Sequence, residues 1–396
     1  MQVRTDLKSG NALSVLGFGC MRFSRGLNLK IDMDAAEKLV LSAIEQGVNY
    51  FDTAYVYGGS EAALGGILYR NSGAREKINI ATKLPHQLCK TYEDFDRIFL
   101  EQCKRLHTET IDYYLVHNLS SLASWEGLVT LGIEKWIAEK KTNGQIKRIG
   151  FSFHGAQNEF MALLDAYSWE FCQIQYNYMN ENYQAGRAGL LKAHEKGLPV
   201  IVMEPLLGGK LATGLPKKAA KLFHDADSEM TPAGWAMRWL WNQPEVTVVL
   251  SGMNSMEQLN DNIKNAETAT PHILTEREAA IFPEVISIFR ESYKVPCTGC
   301  NYCMPCPNKV NIPACFSAYN TSYAVGTVAG LLQYATSTGS IHPGENFGPD
   351  SCVKCGQCEK KCPQHIPIMK SLEDVKRRME PFWFKPALHL FQKFER

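Results

Sequence analysis

The chain has 396 residues, enough to bury at least one large core. Its 42 lysines and arginines nearly balance 41 aspartates and glutamates, so no net field favours nucleic acid or an anionic membrane as a partner. The N-terminus lacks the apolar run of a signal peptide, and no later stretch is long enough to span a bilayer. We therefore predict a cytoplasmic protein with no membrane span and no nucleic-acid partner.

Short apolar runs alternate with segments of helical periodicity from the N-terminus to about residue 270. In one such unit, Asp34 is expected to cap a helix that Gly47 ends, and a strand is expected at 48–52. The apolar face of this helix should bury Leu39, Val40, Ala43 and Ile44. Eight segments have the composition of buried strands, namely 15–18, 48–51, 78–82, 112–116, 146–151, 171–175, 199–203 and 246–250.

Eight strand-then-helix units predict an α/β fold of the (β/α)8 TIM-barrel type, whose parallel strands are buried on both faces. A doubly wound open sheet is the alternative. It is disfavoured because the first strand is followed by GFGCMRF, which lacks the GxGxxG turn of a dinucleotide-binding open sheet. A connecting helix is expected at 276–294, and Pro296 should end it.

Four polar residues stand at or just beyond the ends of predicted strands: Asp52, Tyr57, Lys83 and His117. Because catalytic groups of a (β/α)8 barrel lie at the carboxyl ends of its strands, we expect them to converge. A lysine cation lowers the pKa of a nearby phenol from its usual value of about 10, and Asp52 would hold Lys83 in place. His117 would then orient a carbonyl while Tyr57 transfers the proton.

The segments GFGCMRF, FDTAYVYGGSE, ATKLP and LVHN closely resemble those of the aldo/keto reductases, in the same order, over residues 1–265. The resemblance implies that Asp52, Tyr57, Lys83 and His117 are the catalytic tetrad. It implies a small carbonyl or alcohol substrate and NADPH bound without a Rossmann fold. Cofactor contacts are implied at Ser152, Gln175, Met203, Gly252, Gln258 and Asn262, the first two holding the nicotinamide amide.

The sequence departs from the family pattern at two cofactor positions. Met203 and Glu204 stand where the family commonly has an aromatic ring that stacks on nicotinamide. Around Gly252 and Gln258, where basic side chains often hold the 2′-phosphate, the segment has no positive charge. NADH and FMN therefore remain alternatives to NADPH, and turn or cap chemistry is the alternative role for Gly252 and Asn262.

Nine of the thirteen cysteines lie between Cys297 and Cys362. They include the runs CTGCNYCMPCP and CVKCGQCEKKCP; the second has the CxxCxxCxxxCP spacing of bacterial ferredoxins, and the first is one residue shorter. In two-cluster ferredoxins the fourth cysteine of each run ligates the other cluster. This rule predicts one 4Fe-4S cluster on Cys297, Cys300, Cys303 and Cys362, and a second on Cys352, Cys355, Cys358 and Cys306.

Two zinc sites are the alternative for these cysteines, although zinc ribbons use two CxxC pairs rather than two runs of four with a terminal proline. The insert between the runs is expected to be helical. We predict a barrel domain at 1–285 and a smaller, mainly helical ferredoxin-like domain at 286–396. The other cysteines are expected to be buried core residues: Cys20, Cys89, Cys103, Cys172 and Cys315.

Together these features predict an aldo/keto reductase-type oxidoreductase that is coupled to iron-sulfur electron transfer, with a redox protein as a further partner. Nicotinamide delivers a two-electron hydride, whereas a 4Fe-4S centre moves one electron at a time. A flavin-containing electron-transfer enzyme is therefore an alternative. A non-catalytic redox-sensor subunit is another, which the complete tetrad disfavours.

Overall fold

The computed structural model describes residues 1–26, 30–324, 326–338, 347–384 and 386. By internal packing the chain divides into two compact units. The first, here the barrel unit, comprises Met1–Leu206 and Ala233–Ala279; the second, here the cysteine unit, comprises Leu207–Pro232 and Ala280–Arg396. The sequence-based division at residue 285 did not anticipate that the segment after a barrel strand, 207–232, packs with the C-terminal part.

The predicted (β/α)8 barrel is confirmed. Eight strands close into a barrel of parallel neighbours in the order β10-β3-β4-β5-β6-β7-β8-β9. All eight predicted strands are present within a few residues of their expected bounds. In chain order the strands are β1 Val3–Thr5, β2 Ala12–Ser14, β3 Leu16–Gly19, β4 Tyr50–Asp52, β5 Asn79–Leu84, β6 Ile111–Leu119, β7 Ile146–Phe153, β8 Phe171–Gln175, β9 Val200–Met203 and β10 Val246–Ser251.

An antiparallel hairpin of β1 and β2, which the sequence analysis did not predict, precedes the barrel. Asp6 organises its turn by accepting hydrogen bonds from the Lys8 and Ser9 amides, and it also accepts one from the Tyr113 hydroxyl at 2.8 Å. Leu13 of the hairpin is fully buried in the barrel's inner core. The hairpin therefore lies at the amino-terminal end of the barrel strands, since Tyr113 is the third residue of β6.

The barrel unit has two apolar layers. The layer between strands and helices contains most of the buried residues, and the inner layer fills the barrel itself. Gly17 of β3 keeps the inner layer close-packed, because a Cβ there would lie 2.7 Å from Leu250 Cδ2. The inner layer comprises Leu13, Tyr50, Ala81, Tyr113, Leu115, Phe171, Ile201, Val248 and Leu250.

Helix α1 shows where the local prediction was wrong. Asp32, not Asp34, caps it, because the Asp32 carboxylate accepts from the Ala35 amide at 3.1 Å and Asp34 lies in the first turn. The predicted buried face is confirmed. The helices are α1 Met33–Glu45, α2 Ser60–Arg70, α3 Tyr92–Leu106, α4 Leu122–Thr130, α5 Ile133–Thr142, α6 Gln157–Ala166, α7 Gly186–Glu195, α8 Lys217–Ala226, α9 Pro232–Trp241, α10 Met256–Ala266, α11 Glu276–Ala279, α12 Ile281–Ser292, α13 Ile312–Ala324, α14 Thr327–Ser337, α15 Gln357–Lys361 and α16 Ile368–Met379.

The cysteine unit is helical in its described part. The predicted connecting helix is two helices, α11 and α12, which are separated at Ala280, and the predicted helical insert is confirmed as α13 and α14. The side chain of Asn320 fixes the chain just before the first cysteine run, since it accepts from the amides of Lys294 and Val295 and donates to the Val295 carbonyl at 2.7 Å. No helix of the described ranges is long and apolar enough to cross a membrane.

Candidate active site and candidate cluster sites

The predicted catalytic and cofactor residues stand at the carboxyl ends of successive barrel strands. Asp52 ends β4, Gln175 ends β8 and Met203 ends β9. Lys83, His117 and Ser152 lie within the last three residues of β5, β6 and β7. Parallel pairing of all these strands brings the side chains to one rim of the barrel.

A buried ion pair forms the floor of this rim. Lys83 Nζ lies 2.6 Å from Asp52 Oδ1 and also donates to the Thr53 carbonyl at 2.7 Å. The two side chains are only 1% and 5% exposed. Burial lowers the pKa of Lys83 and raises that of Asp52, while each partner opposes the shift of the other. The Gln173 amide supports the pair by donating to Asp52 Oδ2 at 3.3 Å.

The rings of Tyr57 and His117 flank the lysine. Lys83 Nζ lies 4.9 Å from the centre of the Tyr57 ring, and the His117 ring stands edge-on to it with centroids 6.0 Å apart. Burial, with the nearby Lys83 charge, holds the pKa of His117 well below its usual value. His117 is therefore neutral at pH 7. A neutral imidazole can still donate one hydrogen bond, and it adds no positive charge to the site. The structure thus brings all four predicted catalytic residues together.

A backbone irregularity orients His117. The pairing of β6 with β7 shifts register between Val116 and Leu119, and Asn118 has a positive φ of 59°. The Asn118 amide donates to Ser152 Oγ at 2.8 Å, which fills the break in the ladder. His86 Nδ1 lies 2.7 Å from the His117 carbonyl oxygen. Bulges commonly redirect a side chain next to a functional site, and this one lies beside the candidate active site.

Three further polar residues at the rim were missed by the sequence analysis. Gln184 donates to Gln175 Oε1 at 3.3 Å, and its own oxygen lies 3.2 Å from His154 Nδ1. Gln173 contacts Asp52 from below. A histidine two residues beyond Ser152, at a strand end, was the available signal for His154; Gln184 follows β8 in a loop with positive φ and gave none.

The segment after β10 was expected to contact the cofactor. Gly252 is exposed, whereas Asn262 is buried and donates to the Ser251 hydroxyl at 2.8 Å. Gln258 accepts from the Asn254 amide at 2.9 Å, so its side chain organises the turn before α10. The exposed Arg22, from the turn after β3, packs its stem on Gly252: a Cβ there would lie 3.1 Å from Arg22 Cγ. The segment itself has no positive charge, and an arginine from another element packs against it.

The two cysteine runs line two separate cavities of the cysteine unit, and each run contributes its fourth cysteine to the cavity of the other. Ile312 contributes to both walls, and Cys303 lies between them. Site I is the cavity lined by Cys297, Cys300, Cys303 and Cys362. Site II is the cavity lined by Cys352, Cys355, Cys358 and Cys306, with Cys303 at its edge.

The donor sets and their surroundings fit clusters. Burial raises the pKa of the Cys297 thiol to about 11 and that of Cys303 to about 12, so thiolate forms there only when a cation compensates the charge. Thr298, buried in the wall of site I, has a hydroxyl with no hydrogen-bond partner among the described residues. A buried orphan hydroxyl beside four cysteines is suited to a sulfur acceptor.

The cysteines outside the runs are buried as expected, with one exception. Cys20, Cys89, Cys172 and Cys315 are buried, whereas Cys103 on α3 is half-buried. Cys20 follows β3 close to the ion pair, and burial raises the pKa of its thiol well above the usual value. These thiols act as small apolar residues.

Two family models match the chain. The aldo/keto reductase family model covers residues 15–273, well over half of the sequence, and the 4Fe-4S dicluster domain model covers residues 296–366. The chain belongs to the aldo/keto reductase family. It is an oxidoreductase of that type with a 4Fe-4S domain. The resemblance inferred from the strand-end motifs is therefore confirmed, and so is the iron-sulfur character of the C-terminal region.

Relatives and solved structures match the reductase part of the chain. The uncharacterized oxidoreductase YrpG of Bacillus subtilis is 25% identical over 318 residues, covering 70% of this chain and 94% of that protein. The aldo-keto reductase str7 of Strobilurus tenacellus is 27% identical over 317 residues, covering 69% and 89%. The holo structure of aldo-keto reductase AKR11C1 from Bacillus halodurans is 24% identical with a TM-score of 0.59, covering 72% and 96%. This last likeness supports the barrel fold.

Proposed function

We propose that the barrel reduces a small aldehyde or ketone, or oxidises the matching alcohol, with Tyr57 as the acid/base. The observation that supports this most is the buried Lys83–Asp52 pair beneath the Tyr57 ring. Lys83 Nζ lies 4.9 Å from the centre of the Tyr57 ring, and a cation near a phenol stabilises the phenolate that proton transfer leaves. The Asp52 carboxylate keeps that cation charged in a site where burial opposes charge.

His117 positions the substrate in this proposal. Its neutral ring can donate one hydrogen bond to a carbonyl oxygen that lies between it and Tyr57. The Tyr57 hydroxyl then gives its proton to the same oxygen, while the lysine stabilises the phenolate that remains. In the reverse direction the phenolate takes the alcohol proton.

We propose a nicotinamide cofactor for the hydride. Ser152 Oγ accepts from the Asn118 amide and can donate its own proton, while Gln175 accepts from Gln184 through its oxygen and has an amide group that can donate. These donors suit the oxygen of a carboxamide. Arg22 beside Gly252 would bind a 2′-phosphate, which favours NADPH over NADH.

We propose that sites I and II each hold one 4Fe-4S cluster and that the chain exchanges single electrons with a redox protein. Each site has four cysteines, one of them from the opposite run, and Cys355 of site II is exposed. Bound clusters would supply one-electron transfer. Anaerobic reconstitution should give about eight iron atoms per chain, two clusters of four; about two metal ions per chain would instead indicate zinc.

The catalytic proposal is tested with two tyrosine variants two residues apart. Tyr57→Phe should lower kcat for NADPH-dependent reduction of an aldehyde and ketone panel by about 10²–10⁴-fold, with KM little changed. Tyr55→Phe is the matched control, since its ring stacks on Arg105 and not on Lys83. Equal rates for Tyr57→Phe and the wild type would overturn the proposal and favour a sensor. A flavin absorbance near 450 nm in protein stripped of iron would indicate that the barrel binds FMN instead of nicotinamide.

A further inference from the structure

Glu61, the second residue of α2, is a buried carboxylate that is not among the predicted catalytic residues. Its side chain is 2% exposed, and glutamate is rarely buried to this extent unless it is paired. Oε1 accepts from the Thr82 hydroxyl at 2.6 Å and from the Gln102 amide at 2.7 Å, and Oε2 accepts from Arg105 at 3.1 Å. In the part of the chain that the structure describes, Arg105 is its only ion-pair partner. Partners on β5 and α3 therefore fix the place of this carboxylate.

Two of these partners are also bonded to the backbone of the candidate active site. Gln102, which is fully buried, donates to the Lys83 carbonyl at 3.0 Å. Arg105 donates to the Tyr55 carbonyl at 3.4 Å, and its guanidinium lies 4.2 Å from the centre of the Tyr55 ring. Tyr55 precedes Tyr57 by two positions in the loop between β4 and α2. The carboxylate thus joins the strand that bears the ammonium to the loop that bears the phenol.

The helix that bears Glu61 fixes the other end of this loop. The Ser60 amide donates to the Tyr57 carbonyl at 2.7 Å. One turn after Glu61, a Cβ on Gly65 would lie 2.2 Å from the Arg105 carbonyl oxygen, so α2 and α3 meet backbone to backbone. Only glycine permits so close an approach. The two helices therefore hold Glu61 and Arg105 against each other.

We propose that Glu61 is a positioning residue, which acts through Arg105 to hold the Tyr57 loop against the strand that bears Lys83. The inference rests on the proposed acid/base role of Tyr57. The separation of phenol and ammonium decides how much the cation stabilises the phenolate, because the attraction between charges falls with distance. Loosening the loop should therefore make the phenolate harder to form, while the ion pair beneath the ring stays intact.

Glu61→Gln breaks the link to Arg105 and keeps the others. Its amide oxygen can still accept from Thr82 and Gln102, whereas its amide nitrogen cannot accept from a guanidinium. The test is the pH profile of kcat for the full chain, with NADP⁺ and a panel of primary and secondary alcohols. The variant should raise the pH of half-maximal rate by about one unit, which lowers the rate about tenfold at lower pH. KM for the alcohol and for NADP⁺ should change less than about twofold.

Arg105→Gln breaks the same link from the half-exposed side and serves if Glu61→Gln folds poorly. It should shift the profile equally, and the double variant should shift it no further than either single one. Glu101→Gln is the matched control, because it removes the other carboxylate bonded to Arg105, at 3.1 Å, and leaves Glu61 in place. Its half-maximal pH should stay within about 0.2 units of the wild type, since exposed pairs contribute little.

A lower melting temperature with an unchanged pH profile in Glu61→Gln and Arg105→Gln would overturn the inference and leave Glu61 a purely structural role. An equal shift in Glu101→Gln would also overturn it. Tyr57→Phe, measured beside these variants, separates both results from a failure of the proposed function. A wild-type rate in Tyr57→Phe would remove the acid/base role, and the inference with it.

Discussion

Removing one member of the buried ion pair should destabilise the barrel unit strongly. In Asp52→Asn, Lys83 keeps its 1% exposure but loses the carboxylate at 2.6 Å, so that the ammonium has only neutral acceptors, the Thr53 carbonyl and the new amide oxygen. Breaking a buried pair in this way costs about 3–5 kcal/mol, because a charge stays desolvated without its partner. Lys83→Met should cost a similar amount, since it leaves the Asp52 carboxylate supported only by Gln173.

The free energy of unfolding of Asp52→Asn should depend on pH, and the pKa of Lys83 decides the direction. Burial already lowers the pKa of Lys83 in the folded protein, and loss of Asp52 removes what opposes that shift. In the unfolded chain the lysine pKa is about 10.4. At every pH between the lowered pKa of Lys83 in the folded variant and this value, the unfolded chain therefore binds more protons than the folded one. Stability of the variant should therefore rise with pH in that window, by up to about 1.4 kcal/mol per unit, and the rise should begin at a lower pH than in the wild type, in which Asp52 limits the lowering of the Lys83 pKa.

Urea denaturation followed by tryptophan fluorescence measures these changes, because Trp125, Trp136 and Trp241 are buried in the barrel unit. The double variant Asp52→Asn, Lys83→Met should be more stable than the sum of the single effects predicts, by at least about 2 kcal/mol. The exposed pair Lys192–Glu195 is the control, and a double-mutant cycle on it should give a coupling energy under about 1 kcal/mol. Additive single effects within about 0.5 kcal/mol would refute the assignment of Lys83 and Asp52 as a coupled charged pair.

Two other predictions concern cofactors. Arg22→Gln should raise KM for NADPH about tenfold or more and leave KM for NADH within about twofold, because one charged hydrogen bond to the 2′-phosphate is lost; parallel losses for both cofactors, or none, would exclude Arg22 from phosphate binding. Cys306→Ser and Cys362→Ser should perturb different clusters, site II and site I respectively, as judged by paramagnetic resonance of reconstituted protein. If Cys306→Ser instead alters the signal of the site that Cys297→Ser alters, ligation follows each run rather than crossing between them.

The barrel could be predicted from sequence because its strands bury both faces and so read as apolar runs with regular spacing. The β1–β2 hairpin could not, since three-residue strands such as Val3–Thr5 carry too few positions for alternation to be visible. The α1 cap was misassigned because Asp32 and Asp34 are both suitable cap residues two positions apart, and only the backbone geometry distinguishes them. The allocation of residues 207–232 to the cysteine unit depends on tertiary contacts that local pattern does not encode.

The candidate site was predictable where one residue type is chemically required at a strand end. Lys83, Asp52 and His117 meet that condition. The cysteines were predictable for another reason, the regular spacing within each run. Arg22 was not found, because the sequence analysis searched for a phosphate-binding cation only in the segment around Gly252. The structure places Arg22, in a turn near the start of the chain, against Gly252, because β3 pairs with β10. That contact depends on barrel closure, a long-range property that local sequence pattern does not encode.

The two sites also differ in what they can exchange with solvent, and this bears on the direction of electron flow. A one-electron carrier needs close approach to its partner, so the site with the exposed Cys355 is the better entry point. Site I offers less surface, since its Cys297, Cys300, Cys303 and Cys362 are all partly covered. If both sites hold clusters, site II is therefore the expected point of entry for an electron.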